Sequence, residues 1–154
     1  FLLMSDYLTR QGFEHYEISN FALPGHHAIH NSNYWKGEQY IGIGPSAHSY
    51  NGIERRWNIN SNAAYIQKMN AGESYFEKEI LSRNDQFNEY ILTRLRTMWG
   101  LQLEEMTNSF GEKATADLLK KIEGQSGIVR KGSTFVLSPE GRLMADRISA
   151  ALFF

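Results

Sequence analysis

The residues best suited to do chemistry are the histidines and aromatic side chains between residues 26 and 35. If this stretch is helical, His26, His30 and Tyr34 lie four residues apart and therefore on one helix face. An imidazole can ligate a metal ion or the iron of heme, and Tyr34 and Trp35 can form flat apolar walls beside a planar macrocycle. A histidine beside aromatic residues is also a common packing residue whose ring nitrogens are hydrogen-bonded. Both interpretations of His30 are open at this point.

A second motif, GIGPSA at residues 42–47, has the Gly-x-Gly-x-x-Ala spacing of a dinucleotide-binding fingerprint. That fingerprint needs a helix directly after the glycines, so that the helix N-terminus faces a pyrophosphate. The residues that follow, HSYNG, favour a loop, and the dinucleotide interpretation therefore fails. The glycines predict either a strand end where a ligand can approach bare backbone or a simple tight turn.

The amino-acid composition excludes several kinds of functional site and classes of protein. The chain has no cysteine, which excludes disulfides and thiolate-bound zinc or iron–sulfur sites within these 154 residues. Its 16 basic and 17 acidic residues give a formal net charge of -1, which argues against a protein that mainly coats nucleic acid. There is no apolar run long enough to cross a bilayer and no basic leader, so we expect a cytoplasmic location. Because the chain begins with Phe1, we expect it to be a segment of a longer protein.

The first half of the chain predicts alternating helices and strands. Apolar residues at helical spacing followed by Gly12 predict a first helix, and residues 13–19 predict a strand. A short helix near 28–35, a strand at 40–44 and a helix at 60–72 follow. Helix, glycine and strand in this order are typical of an α/β barrel or an open parallel sheet. We expect the strands at 13–19 and 39–44 to pair with each other or across a homodimer, because an isolated unit leaves its sheet edges unpaired.

A second module is predicted from about residue 80. Ser82 and Asp85 form a capping-box pattern ahead of an apolar helical stripe, and two more helices are predicted at 103–110 and 112–123. A hairpin at 128–137 and a last helix starting at Ser138 and Pro139 complete an order that resembles a winged helix. Between residues 112 and 147 the surplus of basic over acidic residues is only about two, which is small for a face that contacts several phosphates, and we predict no nucleic-acid partner.

Four segments in order carry a resemblance to a known family. They are HYEISNFA at residues 15–22, PG at 24–25, HNxxYW at 30–35 and YIGIGPSAHS at 40–49. This series resembles the HemW heme-chaperone branch of the radical-SAM, oxygen-independent coproporphyrinogen III oxidase-like family. The specific match covers the first 60 residues, and residues 80–154 resemble that family's small carboxy-terminal domain in layout.

The resemblance implies a fold and a set of cofactors. It implies α/β plus α architecture, with residues 1–79 as the last strands and helices of a partial (β/α) radical-SAM barrel and residues 80–154 as a winged-helix-like helical domain. It implies an upstream [4Fe–4S] cluster that binds S-adenosylmethionine in the full-length protein, since the cluster cysteines and hence any metal ligands of that site are absent here. It also implies heme contacts at His30, Asn31, Tyr34 and Trp35, and places Gly42, Gly44, Ser46, Ala47 and His48 in the vicinity of S-adenosylmethionine.

The function that the resemblance favours is heme trafficking, in which the protein binds heme and passes it to an apo-hemoprotein. We expect no catalysis by the segment alone. The enzyme alternative is oxygen-independent coproporphyrinogen III dehydrogenase, a radical-SAM oxidative decarboxylation in porphyrin biosynthesis. The third alternative is a winged-helix interaction module formed by residues 80–154. Because ligands of α/β barrels sit at the carboxy ends of the strands, we expect one mouth to collect Ser19, Gly44 and His30.

Overall fold

The computed structural model describes all residues from 1 to 154 and shows a mixed α/β chain with three small sheets. Every strand pair is antiparallel, and each sheet is open. The chain divides into two compact units, which we call unit 1 (residues 1–36 and 87–154) and unit 2 (residues 37–86). The family-derived boundary between residues 79 and 80 stays a prediction.

Unit 1 begins with the predicted helix and strand. Helix α1 covers Leu2–Arg10, and Gly12 follows it with a φ of +87°, a left-handed conformation that glycine adopts without strain. Strand β1, Glu14–Glu17, confirms the predicted strand, but its partner is β2, Asn20–Ala22, which was not predicted. The predicted pairing of this strand with residues 39–44 is therefore wrong. The short helix predicted near 28–35 is confirmed as α2, Ile29–Trp35.

The larger part of unit 1 is built around one apolar core. Phe87, Ile91 and Leu95 of the predicted helical stripe are buried, as expected for one face of a helix, whereas Met98, the fourth predicted member, lies beyond the helix and is exposed. The strand order β6-β8-β7 places the predicted hairpin beside the short strand β6. Twelve buried residues form the core cluster, and these are Phe87, Ile91, Leu95, Leu101, Met106, Leu118, Ile122, Phe135, Leu137, Ala145, Ile148 and Leu152.

The helices and the hairpin of this part match their predicted positions closely. Two helices coincide with the prediction to the residue, while the predicted last helix is divided by a turn at Leu143 and Met144. The elements are α4 (Arg83–Leu95, which begins in unit 2), β6 (Leu101–Gln102), α5 (Leu103–Phe110), α6 (Glu112–Glu123), β7 (Ile128–Lys131), β8 (Thr134–Leu137), α7 (Pro139–Arg142) and α8 (Ala145–Leu152).

Unit 2 contains a three-stranded sheet that the sequence did not predict. Its order is β3-β4-β5, with β3 at His48–Tyr50, β4 at Glu54–Asn58 and β5 at Phe76–Ile80. Helix α3, Asn62–Ala71, confirms the predicted helix; the Ser61 hydroxyl accepts a hydrogen bond at its start, and Gly72 ends it at a φ of +68°.

Two predictions for the glycine-rich segment are wrong. Residues 40–44 were expected to form a strand, but only Tyr40 pairs, through a bridge to Tyr50, and the residues after it are irregular. Gly44 has a φ of +98° and Ser46 a φ of 60°, and these conformations are incompatible with a continuing strand. Residues 48–50, expected to be a loop, form β3.

None of the helices is both long and apolar enough to span a bilayer.

Candidate functional site

Helix α2 carries the residues for which heme contact was predicted. His30 and Tyr34 are four residues apart on this helix and share a face, whereas His26 lies before the helix starts and does not join them. The prediction of a three-residue face is therefore wrong for His26, whose Nδ1 is instead 3.0 Å from the Pro24 carbonyl oxygen. His30 is exposed, and its imidazole has no hydrogen-bond or ion-pair partner. Tyr34 is 46% exposed. This face presents a free imidazole and a phenol ring to solvent.

Three further polar side-chain atoms of α2 are buried without partners. They are Asn31 Oδ1, Ser32 Oγ and Trp35 Nε1. The Trp35 ring meets Tyr34 edge-on at 5.0 Å and lies 5.1 Å from the guanidinium carbon of Arg96. Buried polar groups in folded proteins are nearly always hydrogen-bonded, and an unpaired one costs about 1–3 kcal/mol.

A second histidine, His27, is held in place by its neighbours. Its Nε2 lies 2.8 Å from Glu14 Oε2, and its ring packs on Tyr16 at 4.7 Å and edge-on against Trp99 at 5.8 Å. The ammonium group of Lys36, directly after α2, lies 4.7 Å from the centre of the Trp99 ring. His27 is thus the packing histidine of this region, whereas His30 is the free one. No sequence signal links Trp99 to this cluster, because 63 positions separate it from Lys36.

A buried carboxylate at the end of β1 was missed by the sequence analysis. Glu17 is 2% exposed; its Oε2 accepts hydrogen bonds from the Ser19 backbone N–H at 3.0 Å and from Asn20 Nδ2 at 2.5 Å. Its Oε1 lies 3.5 Å from Arg96 Nε, and Arg96 Nη1 binds Asp146 Oδ1 at 2.7 Å. Arg96 therefore joins the Trp35 ring to a network of two carboxylates, which fixes the guanidinium in position.

In unit 2, hydrogen bonds with β3 and β4 hold the glycine-rich segment against the three-stranded sheet. Asn58 is buried, and its Nδ2 donates hydrogen bonds to the carbonyl oxygens of Gly44 at 2.8 Å and Gly42 at 3.4 Å. The Gly42 N–H donates to Ser49 Oγ at 3.0 Å. A Cβ on Gly42 would collide with the His48 carbonyl group, so this glycine is required for close packing of the chain on itself. Gly44 has open space where a Cβ would lie.

A cavity of about 670 Å³ lies beside this segment within unit 2. Of the five residues predicted near S-adenosylmethionine, Gly42 lines it, while Gly44, Ser46, Ala47 and His48 do not. Its walls combine aromatic rings with amide and charged groups, a composition suited to a small polar molecule with a flat ring. They include Tyr40, Tyr50, Asn51, Glu54, Arg56, Asn58, Tyr75 and Phe76.

The charged wall of that cavity is an ordered ion-pair group on β4 and β5. Glu54 pairs with Arg56 on its own strand and with Lys78 of β5 at 3.1 Å. The hydrogen bonds from Arg56 and then Lys78 hold the pKa of the Glu54 carboxyl below its usual value. The Arg56 guanidinium also lies over the Phe76 ring at 4.7 Å.

The chain contains no cluster of three or more histidine, aspartate, glutamate or cysteine side chains arranged to hold a metal ion. With no cysteine in the sequence, an iron–sulfur cluster does not fit these residues. On α2, His30 offers an unpartnered ring nitrogen beside an exposed aromatic ring, and an imidazole of this kind is a suitable axial ligand for heme iron. The two predicted residue sets belong to different units, and their sharing of one mouth stays a prediction.

Comparison with known proteins gives several related sequences and one related structure. The chain is 34% identical over 149 residues to the heme chaperone HemW of Mycobacterium tuberculosis, an alignment that covers 94% of this chain and 36% of the relative. It is 37% identical over 105 residues to HemW of Lactococcus lactis, covering 68% of this chain and 27% of the relative. It is 29% identical over 148 residues to HemW of Bacillus subtilis, covering 94% of this chain and 39% of the relative.

The chain therefore spans little more than a third of the length of the curated relatives it matches. A 41-residue stretch is 54% identical to the mitochondrial radical S-adenosyl methionine domain-containing protein 1 of Danio rerio. Among solved structures, the coproporphyrinogen III oxidase HemN of Escherichia coli, described as a radical SAM enzyme, matches with a TM-score of 0.70 at 16% identity. That match covers 97% of this chain and 39% of HemN, and at this identity it shows the fold alone. No protein-family model matches the chain.

Proposed function

Because this chain belongs to the HemW/HemN-like family, we propose that it binds heme and takes part in passing heme to an apo-hemoprotein. The proposed heme contacts are four residues of α2, namely His30, Asn31, Tyr34 and Trp35. The Mycobacterium tuberculosis and Bacillus subtilis relatives are heme chaperones by name, and each matches this chain over 94% of its length.

The observation that carries the proposal is the free imidazole of His30. Neutral histidine is a common axial ligand of heme iron, and a ligand must have a ring nitrogen that no other group occupies. Among the histidines of unit 1, His30 alone has both ring nitrogens unpartnered, whereas His26 and His27 each use one and His15 uses both. The exposed Tyr34 ring one turn away supplies an apolar wall, and Asn31 and Trp35 directly follow His30 and Tyr34 on the same helix.

We place this role within a larger protein and its cofactors. The full-length protein is proposed to hold a [4Fe–4S] cluster and S-adenosylmethionine in a partial radical-SAM barrel followed by a winged-helix-like domain, in the cytoplasm. The contribution of this chain to S-adenosylmethionine is proposed at the segment from Gly42 to His48, of which Gly42 lines the unit 2 cavity together with aromatic rings and the Asn58 amide. The cluster would supply one-electron chemistry when present.

A heme titration of His30→Ala tests the proposal. We expect the variant to bind heme about tenfold or more weakly and to lose the absorption signature of an imidazole-ligated iron, because one coordination bond is removed. His26→Ala is the matched control, since His26 is an exposed histidine in the same region that lies outside the helix. An unchanged heme affinity and spectrum in His30→Ala would exclude His30 as a ligand.

The second candidate function is oxygen-independent coproporphyrinogen III dehydrogenase, favoured by the fold match to HemN. An assay for protoporphyrinogen formation by the full-length protein distinguishes the two, because clear turnover supports the enzyme. A third candidate is an interaction module in residues 80–154, favoured by the order α4, β6, α5, α6, β7, β8, which is that of a winged helix. Salt-sensitive binding of duplex DNA by the full chain would support it.

A further inference from the structure

A second cavity, of about 440 Å³, lies within unit 1 at the junction of α7 and α8, and three arginines line it. They are Arg96, at the end of α4, Arg142, the last residue of α7, and Arg147, in the first turn of α8. They come from separate parts of the sequence, and their convergence is visible only in the fold. We call them the arginine triad.

Two of the three guanidinium groups have no carboxylate partner. Arg142 is partly buried, and its Nη1 donates to the His15 carbonyl oxygen at 3.1 Å without forming an ion pair. Arg147 is exposed and makes no ion pair or hydrogen bond. Arg96 binds Asp146 through Nη1 and approaches Glu17 through Nε, so only this member of the triad is neutralised locally. Guanidinium groups stay protonated, and because Asp146 and Glu17 are the two nearby carboxylates, the three arginines leave a surplus of one positive charge at the cavity.

Burial of a charged guanidinium group is unfavourable, and Arg142 is a partly buried member of the triad without a carboxylate partner. Burial lowers the pKa of its guanidinium, although nearby Glu17 acts in the opposite direction. A carboxylate bound in the cavity would remove this cost by forming a charge-assisted, bidentate pair. The first turn of α8 adds to the attraction, since this eight-residue helix starts at Ala145 without a side-chain cap and directs its positive end to the same cavity.

The cavity is also partly apolar. Ile18, Leu143 and Met144 contribute to its lining, and the last two are 53% and 45% exposed. Arginines combined with exposed apolar side chains favour an amphiphilic anion, whose apolar body covers the hydrophobic residues while its acid groups bind the guanidinium groups. An inorganic anion would use only the charged part of this surface.

The cavity is linked structurally to the heme-binding helix. The Arg96 guanidinium lies over the Trp35 ring, and Trp35 ends the helix on which His30 is the second residue. Trp35 lies five positions after His30, a rise of about 7.5 Å along the helix axis. The iron ligand and the arginine triad therefore belong to one unit and are connected through one aromatic ring.

We propose that the arginine triad binds carboxylate groups of a tetrapyrrole, the propionates of heme, while His30 faces its iron. This inference rests on the proposed heme function, and it adds the residues that would bind the acid groups. It assigns Arg142 and Arg147 the direct contacts and makes Arg96 a positioning residue, because its guanidinium is already held by Asp146 and Trp35.

Comparison of hemin with hemin dimethyl ester, whose propionates are uncharged, tests the inference on the full chain. We expect the wild-type chain to bind hemin at least about tenfold more tightly than the ester, because charge-assisted hydrogen bonds are lost with the ester. Arg147→Gln and Arg142→Gln are each expected to weaken hemin binding about tenfold and to leave ester binding unchanged. Arg147 is exposed, so its variant keeps the test informative if Arg142→Gln fails to fold.

Arg130→Gln is the matched control, because it removes the same charge from the exposed strand β7, outside the cavity. Equal binding of hemin and its ester by the wild type, with no change in either arginine variant, would overturn the triad and leave heme binding intact. Failure of both porphyrins to bind would overturn the proposed function together with this inference.

Discussion

At the scale of single residues, His15 shows how the fold fixes the protonation of a side chain. Its Nε2 lies 2.9 Å from the Ile18 carbonyl oxygen, which can only accept, so Nε2 carries the proton. Its Nδ1 lies 3.0 Å from Ser5 Oγ and accepts from that hydroxyl in the neutral ring. The ring also stacks on Phe21 at 4.0 Å. Burial is the main cause that lowers the pKa of His15, with repulsion from Arg142 acting in the same direction.

This lowered pKa predicts a stability that depends on pH. As the pH is lowered, His15 takes up a proton in the unfolded chain near its ordinary pKa of 6.5, and in the folded chain only at lower pH. The contribution of His15 to the free energy of unfolding is therefore greatest above pH 6.5 and is lost as the pH falls below it. Urea unfolding at about pH 7.5 and about pH 5.5 measures the change. We expect His15→Gln to lose less stability between these values than the wild type, and His26→Gln, at an exposed position, to behave as the wild type does. Parallel losses in all three proteins would contradict the assignment.

At the scale of elements, the close packing of the glycine-rich segment on β3 depends on the absence of a side chain at Gly42. A methyl group on Gly42 would overlap the His48 carbonyl group, whereas Gly124 has ordinary space and an ordinary backbone conformation. Overpacking typically costs about 1–3 kcal/mol, so Gly42→Ala is expected to lower the free energy of unfolding by about 2 kcal/mol. The control Gly124→Ala should change it by less than about 0.5 kcal/mol. Equal unfolding midpoints for the two variants would show that the segment can move away from β3.

Elements with local signals were predictable from sequence, and those that depend on distant partners were not. Helix α4 follows from the capping hydrogen bonds between Ser82 and Asp85 and from a buried stripe at helical spacing. Strand β5 has only one partly buried residue, Phe76, followed by four exposed ones, so it shows no alternation of apolar and polar side chains. It exists because β4 pairs with it along five residues. For the apolar run at 40–44 the error is reversed: a strand was predicted where there is none, since Gly44 with its positive φ ends the extended backbone.

The same distinction holds for the candidate site. His30, Tyr34 and Trp35 are neighbours in sequence, and their grouping on one short helix was predicted. Arg96, Arg142 and Glu17 are separated by many residues, and a charged side chain in sequence does not show which other charges will face it. The burial of the Glu17 carboxylate and the lack of an ion-pair partner for Arg142 are therefore visible only in the folded structure.

At the scale of the whole molecule, apolar burial is distributed unequally between the two units. Unit 1 contains the twelve-residue core cluster, whereas the buried residues of unit 2 are Leu81 and Asn58. Because apolar burial is the main favourable contribution to folding, the strands of unit 2 are stabilised mostly by their backbone ladders and the ion pairs of Glu54. Such regions open at lower free energy than a packed core does.

Native-state amide hydrogen exchange measures this difference directly. We expect amides of β4 to exchange through openings of lower free energy than amides of α6 and β8, which carry core residues such as Leu118 and Phe135. Leu118→Ala should reduce protection in α6 and β8 by about 2–5 kcal/mol, because it creates a cavity at a fully buried position. Protection of β4 should stay unchanged in that variant, since its amides already exchange without opening of the core. If β4 and α6 have equal protection and lose it together, the chain unfolds as one cooperative body, and the cavity lined by Gly42 is as rigid as the core of unit 1.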